Sequence, residues 1–141
     1  VDITIRERII FPVERRPVLR GYAEYADLPE DTALRVYALD EIAAEKVVAV
    51  MDRARNEPRD LYDIWYLSDE AHVDLARLKG AVEEKLDFRG KKLDDVRGEF
   101  AAKEARFKKL WQTRLAAQMA SLPEFDEVYR AVRRSLRRAG L

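Results

Sequence analysis

The chain of 141 residues has no cysteine and one histidine, His72. The first absence excludes a disulfide framework, thiol ligands and a thiol nucleophile; the second excludes a histidine-rich metal site. Any metal would have to sit on carboxylates, so Mg²⁺ or Mn²⁺ is expected rather than Zn²⁺. Net charge is also lacking. Lys+Arg and Asp+Glu each number 27, so overall charge points to no acidic partner, and a basic surface must come from local clustering. No apolar run reaches membrane-spanning length, and the start has no signal-peptide pattern, which makes no membrane association and a cytoplasmic location the expectation. Internal repeats and low-complexity segments are absent too. The chain does have 48% hydrophobic and 38% charged residues, enough for one buried core under an ionic surface. The first residue is Val1 rather than methionine, and the chain opens in a strand-like run, as a fragment or processed piece would.

Val1, Ile3 and Ile5 alternate with Asp2, Thr4 and Arg6, so Val1 to Ile10 is expected as a strand with one buried face. Pro12 and Pro17 interrupt the next stretch, and Gly21 to Asp31 is expected as loop. Leu34 to Ala38 is a second short strand. Helices account for the rest. Asp40 is the expected N-cap of a helix from about Glu41 to Arg55, and Pro58 opens another to Asp69 after the Asn56-Glu57-Pro58 interruption. Asp74 caps a helix to Leu86 that Gly90 closes, with further helices over Leu93 to Gly98 and Phe100 to Ala120. Phe107, Leu110, Trp111, Leu115 and Met119 give the last of these an apolar stripe. Ser121 and Glu124 have capping-box spacing before a final helix that turns Phe125, Val128, Tyr129, Val132 and Leu136 inward.

Chemistry is concentrated between residues 44 and 67. Lys46 and Arg53, seven positions apart, are nearly eclipsed on a helix and share their stripe with Ile42, Ala43, Ala49 and Val50, while Glu41, Glu45 and Asp52 fall on another side. No acid lies three or four positions from Lys46, so a partner must come from elsewhere: Asp60, Asp63 or a bound phosphate. A lysine running past alanines to water is the alternative. Asp60 and Asp63 share one face of the next helix with Arg59, opposite Leu61, Ile64 and Trp65; for Asp60 a plain helix-dipole role is the alternative. Arg130, Arg133, Arg134, Arg137 and Arg138 form a stripe without acids that suits a nucleic-acid backbone, or equally a solvated helix end. Trp65, Trp111, Phe100 and Phe107 are expected in the core, and His72 in a loop.

At Ala44-Glu45-Lys46, Ala49 and Arg53, then Arg59-Asp60-Leu61-Tyr62-Asp63-Ile64-Trp65, and again from Leu110-Trp111 to Leu122-Pro123-Glu124-Phe125, the chain resembles the AbiEii/AbiGii nucleotidyltransferase toxin family. The resemblance implies a metal-dependent transferase in which Lys46 neutralises triphosphate charge, Arg53 and Arg59 assist, and Asp63, or Asp60, orients Lys46 or positions the acceptor hydroxyl. It also implies that Asp2 is the third metal-binding carboxylate, that the substrate is a nucleoside triphosphate, that tRNA or another RNA is an acceptor, and that a cognate antitoxin exists. The family's Gly-Ser turn with a following aspartate pair has no counterpart here, so the chain is expected to be the C-terminal part of such an enzyme, inactive and without bound metal by itself.

The expected fold is α+β and mainly α: two short strands, from Val1 and Leu34, against about five helices, with residues 1–39 ending a transferase core sheet and residues 40–141 forming a helical region. A non-catalytic helical module that binds nucleic acid or a protein partner is the competing reading.

Overall fold

A computed structural model describes residues 7–19, 21, 29 and 31–141. Asp2 and residues 1–6 of the expected Val1 to Ile10 strand lie outside them, and residues 7–10 are not in a strand; the N–H groups of Ile10 and Phe11 bond the Glu41 side chain instead. The fold is α+β and mainly helical, with two strands among the described residues, β1 (Glu14–Pro17) and β2 (Ala33–Val36), and six α-helices, α1 (Leu39–Met51), α2 (Pro58–Asp69), α3 (Lys79–Phe88), α4 (Leu93–Ala102), α5 (Glu104–Leu115) and α6 (Phe125–Arg138).

The two strands are antiparallel, with Glu14 opposite Val36 and Pro17 opposite Ala33. The Leu34 strand therefore pairs with a segment whose prolines argue against a strand. Pro17 is tolerated because it ends a strand of a two-stranded ribbon, where its missing N–H interrupts no inner ladder.

Several helix ends differ from expectation. Ala38, not Asp40, is the N-cap of α1, and no side chain caps it; Asp40 and Glu41 lie in its first turn, where they complement the dipole. The helix stops at Met51 rather than Arg55. Asp52 then organises a turn by accepting from the Ala54 N–H at 3.0 Å. Pro58 starts α2 as expected. Asp74 accepts from the Ala76 N–H, capping a 3₁₀ turn over Leu75–Leu78 that leads into α3. Gly90 follows α3 at φ 69°, a left-handed conformation that suits glycine. The break expected between Gly98 and Phe100 lies at Lys103 instead, and α5 ends at Leu115 rather than Ala120; the buried Lys103 ammonium reaches the backbone carbonyls of Asp52 and Arg55 at 2.8 and 3.0 Å. The capping box does not form either. Glu124 is the N-cap of α6 with no side-chain bond, which leaves Ser121 three residues too early, and the entry to α6 is held instead by Trp111 Nε1 donating to the Pro123 carbonyl at 2.9 Å.

One core joins the helices. The fully buried Ala43, Ala44 and Val47 of α1 let α2 approach closely, and Leu61 and Ile64 of α2 meet Phe107 and Trp111 of α5 and Val132 of α6 in one apolar cluster. Each Leu, Ile or Phe fully buried there contributes about 1.5–3 kcal/mol. Leu110 and Met119 are only half-buried at the edge of this stripe, whereas the five inward residues of α6 are buried as expected. The result fixes the middle of α1 against the first turns of α2.

Candidate functional site

Lys46 lies at the centre of α1, on the side turned to α2. Its Nζ is 2.9 Å from Asp60 Oδ1 and 2.6 Å from Asp63 Oδ2. The lysine keeps 23% of its side-chain surface and Asp63 keeps 25%, whereas Asp60 keeps only 2%. A carboxylate so enclosed needs all its lone pairs used. Arg55 supplies the remainder, with Nε 2.5 Å from Asp60 Oδ2 and Nη2 3.1 Å from Oδ1. Two cations thus hold one buried acid, and the second acid stands at the rim.

The protonation states follow from these contacts. Burial pushes the Asp60 carboxyl up, but the hydrogen bonds and charges of Arg55 and Lys46 outweigh it and hold the group below the usual carboxylate range. For Lys46, burial acts downward and the bonds to Asp63 and Asp60 act upward; the bonds prevail and raise it. Near neutral pH the ammonium is charged. It opens onto a cavity of about 190 Å³ lined by Glu45, Lys46, Ala49, Asp52, Arg55, Asp60 and Arg89.

Arg53 is not part of this cluster. The end of α1 at Met51 takes it off the helical stripe, so the eclipsed placement with Lys46 is lost, and its side chain is exposed. Arg55 occupies the place expected of it. The sequence holds a signal for this: Asn56-Glu57-Pro58 turns the chain back, so an arginine just before the turn faces an acid in the first turn after it. Lys103 secures that turn through the two carbonyls already described, and burial draws its ammonium below the ordinary lysine value. Arg59 is more peripheral, exposed and 4.0 Å from Asp63. Asp60 is in the first turn of α2, so its dipole role and its ion pairs coexist. Arg130, Arg133, Arg134, Arg137 and Arg138 are all exposed, and none forms an ion pair among the described residues.

A second charged cluster escaped the sequence reading. Glu41, read only as lying on the side of its helix away from Lys46, and Lys85, not singled out at all, are both buried and 2.5 Å apart. Lys85 Nζ also meets Glu45 Oε1 at 2.6 Å and the Arg8 carbonyl at 2.7 Å. The other Glu41 oxygen accepts the N–H groups of Ile10 and Phe11 at 3.0 and 2.9 Å. Lys85 falls on the buried α3 stripe with Leu78, Ala81, Val82 and Leu86, at helical spacing, and that pattern was the available clue. Glu7, Glu41 and Glu45 each bring an oxygen within 4.8 Å of the others, as metal ligands do. The Lys85 ammonium already neutralises Glu41 and Glu45, and Arg89 binds the second Glu45 oxygen at 2.7 Å. With two of its three carboxylates already bound to protein cations, this donor set does not fit a divalent ion.

The family model described as "Nucleotidyl transferase AbiEii toxin, Type IV TA system" matches residues 1–131. No curated protein and no solved structure matches the chain.

Proposed function

We propose, from the premise that this chain belongs to the AbiEii nucleotidyl transferase toxin family, that the Lys46 cluster is the triphosphate-binding half of a nucleotide-transfer site. The observation that carries the reading is the charged Lys46 ammonium shared between a buried and a rim carboxylate at the mouth of a cavity. Burying a lysine in this way is costly and adds little to a core that apolar residues would fill as well. A polyanion entering the cavity would draw on Lys46 and Arg55, with Arg59 beside them. Asp60 orients both cations and stays ionised. Asp63, more exposed, can exchange its contact with Lys46 for a hydrogen bond from an acceptor hydroxyl. Lys46 and Arg55 thus act by positioning and charge neutralisation, the main requirements of phosphoryl and nucleotidyl transfer.

In this reading residues 1–39 end the transferase sheet, residues 40–141 carry the Lys46 face, and transfer belongs to the whole protein rather than to this chain alone. A divalent ion, Mg²⁺ or Mn²⁺, is the proposed cofactor, with Asp2 as one carboxylate that would hold it; no described carboxylate is assigned to it. RNA, with tRNA as the first candidate, is the proposed acceptor, held along the exposed arginines of α6. The type IV description of the family makes an antitoxin the expected protein partner, and the cytoplasm the expected setting. No described helix is long and apolar enough to cross a membrane.

The unpaired arginines of α6 also support a second reading, a helical module that binds nucleic acid without chemistry. Expression of the full-length protein separates the two. Lys46→Met and Asp63→Asn should relieve growth arrest at unchanged protein level; arrest equal to wild type in both variants would remove the transfer reading and leave the module.

A further inference from the structure

A second cavity, of about 230 Å³, opens where the end of α1 meets α4 and α6. Its floor is apolar, made by Met51, Phe100, Leu136 and Leu141, all buried. Its rim carries Arg97 from α4 with Arg133 and Arg137 from α6. Arg133 and Arg137 are four positions apart and so stand one above the other on the helix. Arg97 faces them and donates from Nη2 to the Gly140 carbonyl at 3.3 Å, which holds its side chain across the opening. No aspartate or glutamate side chain is among the residues lining this cavity. Asp94, 3.5 Å from Arg97, is almost fully exposed and only weakly competes for it.

Three guanidinium groups around an apolar hollow select a ligand with an anionic end and a flat apolar body. The Phe100 ring is held firmly, stacked on Tyr129 with centroids 5.0 Å apart, so it offers a fixed wall rather than a mobile side chain. The volume is below the roughly 300–1,000 Å³ of pockets that enclose whole cofactors, so it suits one ring system with its phosphate left at the rim. The cavity is distinct from the one at Lys46. Met51 follows Lys46 by five positions on α1, about 7.5 Å along the axis and well round the helix from it.

We propose that this hollow binds a single nucleotide unit, the base against Phe100 and Met51 and the phosphate on Arg97, Arg133 and Arg137. The source is either a free mononucleotide or one unpaired nucleotide of an RNA strand. Two of these arginines belong to the face proposed above to hold RNA, so the inference gives that face one defined point of contact, but it requires neither transfer chemistry nor Lys46.

Methyl and aromatic NMR spectra of the chain, titrated with AMP and with a short single-stranded oligoribonucleotide, test it. Saturable shifts at Met51, Phe100, Leu136 and Leu141 are expected. Arg97→Gln with Arg133→Gln should weaken AMP binding by about tenfold or more, and Arg130→Gln with Arg134→Gln should leave AMP binding within about twofold. Because these arginines are exposed, both double variants should keep the wild-type melting curve, which is recorded alongside. Binding of AMP assigns the site to free nucleotides, and binding of the oligonucleotide alone assigns it to a strand; either supports the inference. It is overturned if neither ligand shifts the four floor residues, if both double variants weaken AMP binding equally, or if inorganic phosphate binds as tightly as AMP. A Lys46→Met chain that still binds AMP here would show that this inference and the transfer reading stand or fall separately.

Discussion

Asp60 is the residue on which the site turns, because its carboxylate is nearly sealed from water and meets two cations. Removing it leaves Lys46 half-buried with only Asp63, so Asp60→Ala should cost about 3 kcal/mol in urea unfolding at pH 7. Its lowered pKa fixes the sign of the pH effect. Stability from this group is present above the unfolded-chain value of about 3.9 and is lost as pH falls through the lower folded value. The wild type should therefore lose stability below about pH 4 more steeply than Asp60→Asn; parallel acid limbs would contradict the account. Lys46, raised in the fold, gives the opposite limb: its contribution is present below the ordinary lysine value and fades as pH rises through the folded one. Tyr129 is a contrasting case. Its hydroxyl is buried and meets no well-formed hydrogen-bond partner among the described residues, and burial first, then the charge and close approach of the Glu104 carboxylate, pushes it up to about 12. Tyr129→Phe should leave stability unchanged or raise it by up to about 1 kcal/mol, read as a thermal midpoint at or above that of wild type.

Helix α1 joins the molecule along two charged lines. Toward α2 it offers a cation, Lys46, to two acids; toward α3 it offers two acids, Glu41 and Glu45, to a cation, Lys85. The second line also holds the backbone of Ile10 and Phe11 through Glu41. Glu41→Gln should destabilise the fold by about 3 kcal/mol and speed hydrogen exchange at the Ile10 and Phe11 amides, with little change at amides in the middle of α6. Glu41 is held below the usual carboxylate range: burial acts upward, but Lys85 and the two N–H groups outweigh it. Lys46 facing Asp60 and Asp63 was legible because it had no local acid and the next helix began with two. The buried stripe of α6 was legible from its spacing. The end of α1 at Met51 was not, because it is coupled to Lys103 capturing two carbonyls about fifty positions earlier in the chain, a contact without periodicity. For the same reason the sequence pointed to Arg53 and gave Arg55 no role beyond the expected helix end. Glu41 and Lys85 were hidden because each carries a charge that sequence patterning assigns to water until its partner is found.

At the scale of the whole molecule, a formally neutral chain keeps its charge in separate places. Two acid–base clusters flank α1, and the five arginines of α6 form no ion pair among the described residues. This division matches the proposed reading, in which a triphosphate is held at one face and a polyanionic acceptor at another. If five arginines contact a single strand, the logarithm of RNA affinity should fall against the logarithm of salt with a slope near −3.5, and each Arg→Gln change on α6 should reduce that slope by about 0.7. Lys46→Met should leave the slope unaltered, since Lys46 is assigned to the triphosphate.

Transfer of label from an α-³²P nucleoside triphosphate to RNA, by full-length wild-type and folded Lys46→Met protein side by side, tests the central claim most directly. The account predicts a loss of about 10²-fold or more in the variant. Equal incorporation by the two proteins would contradict it.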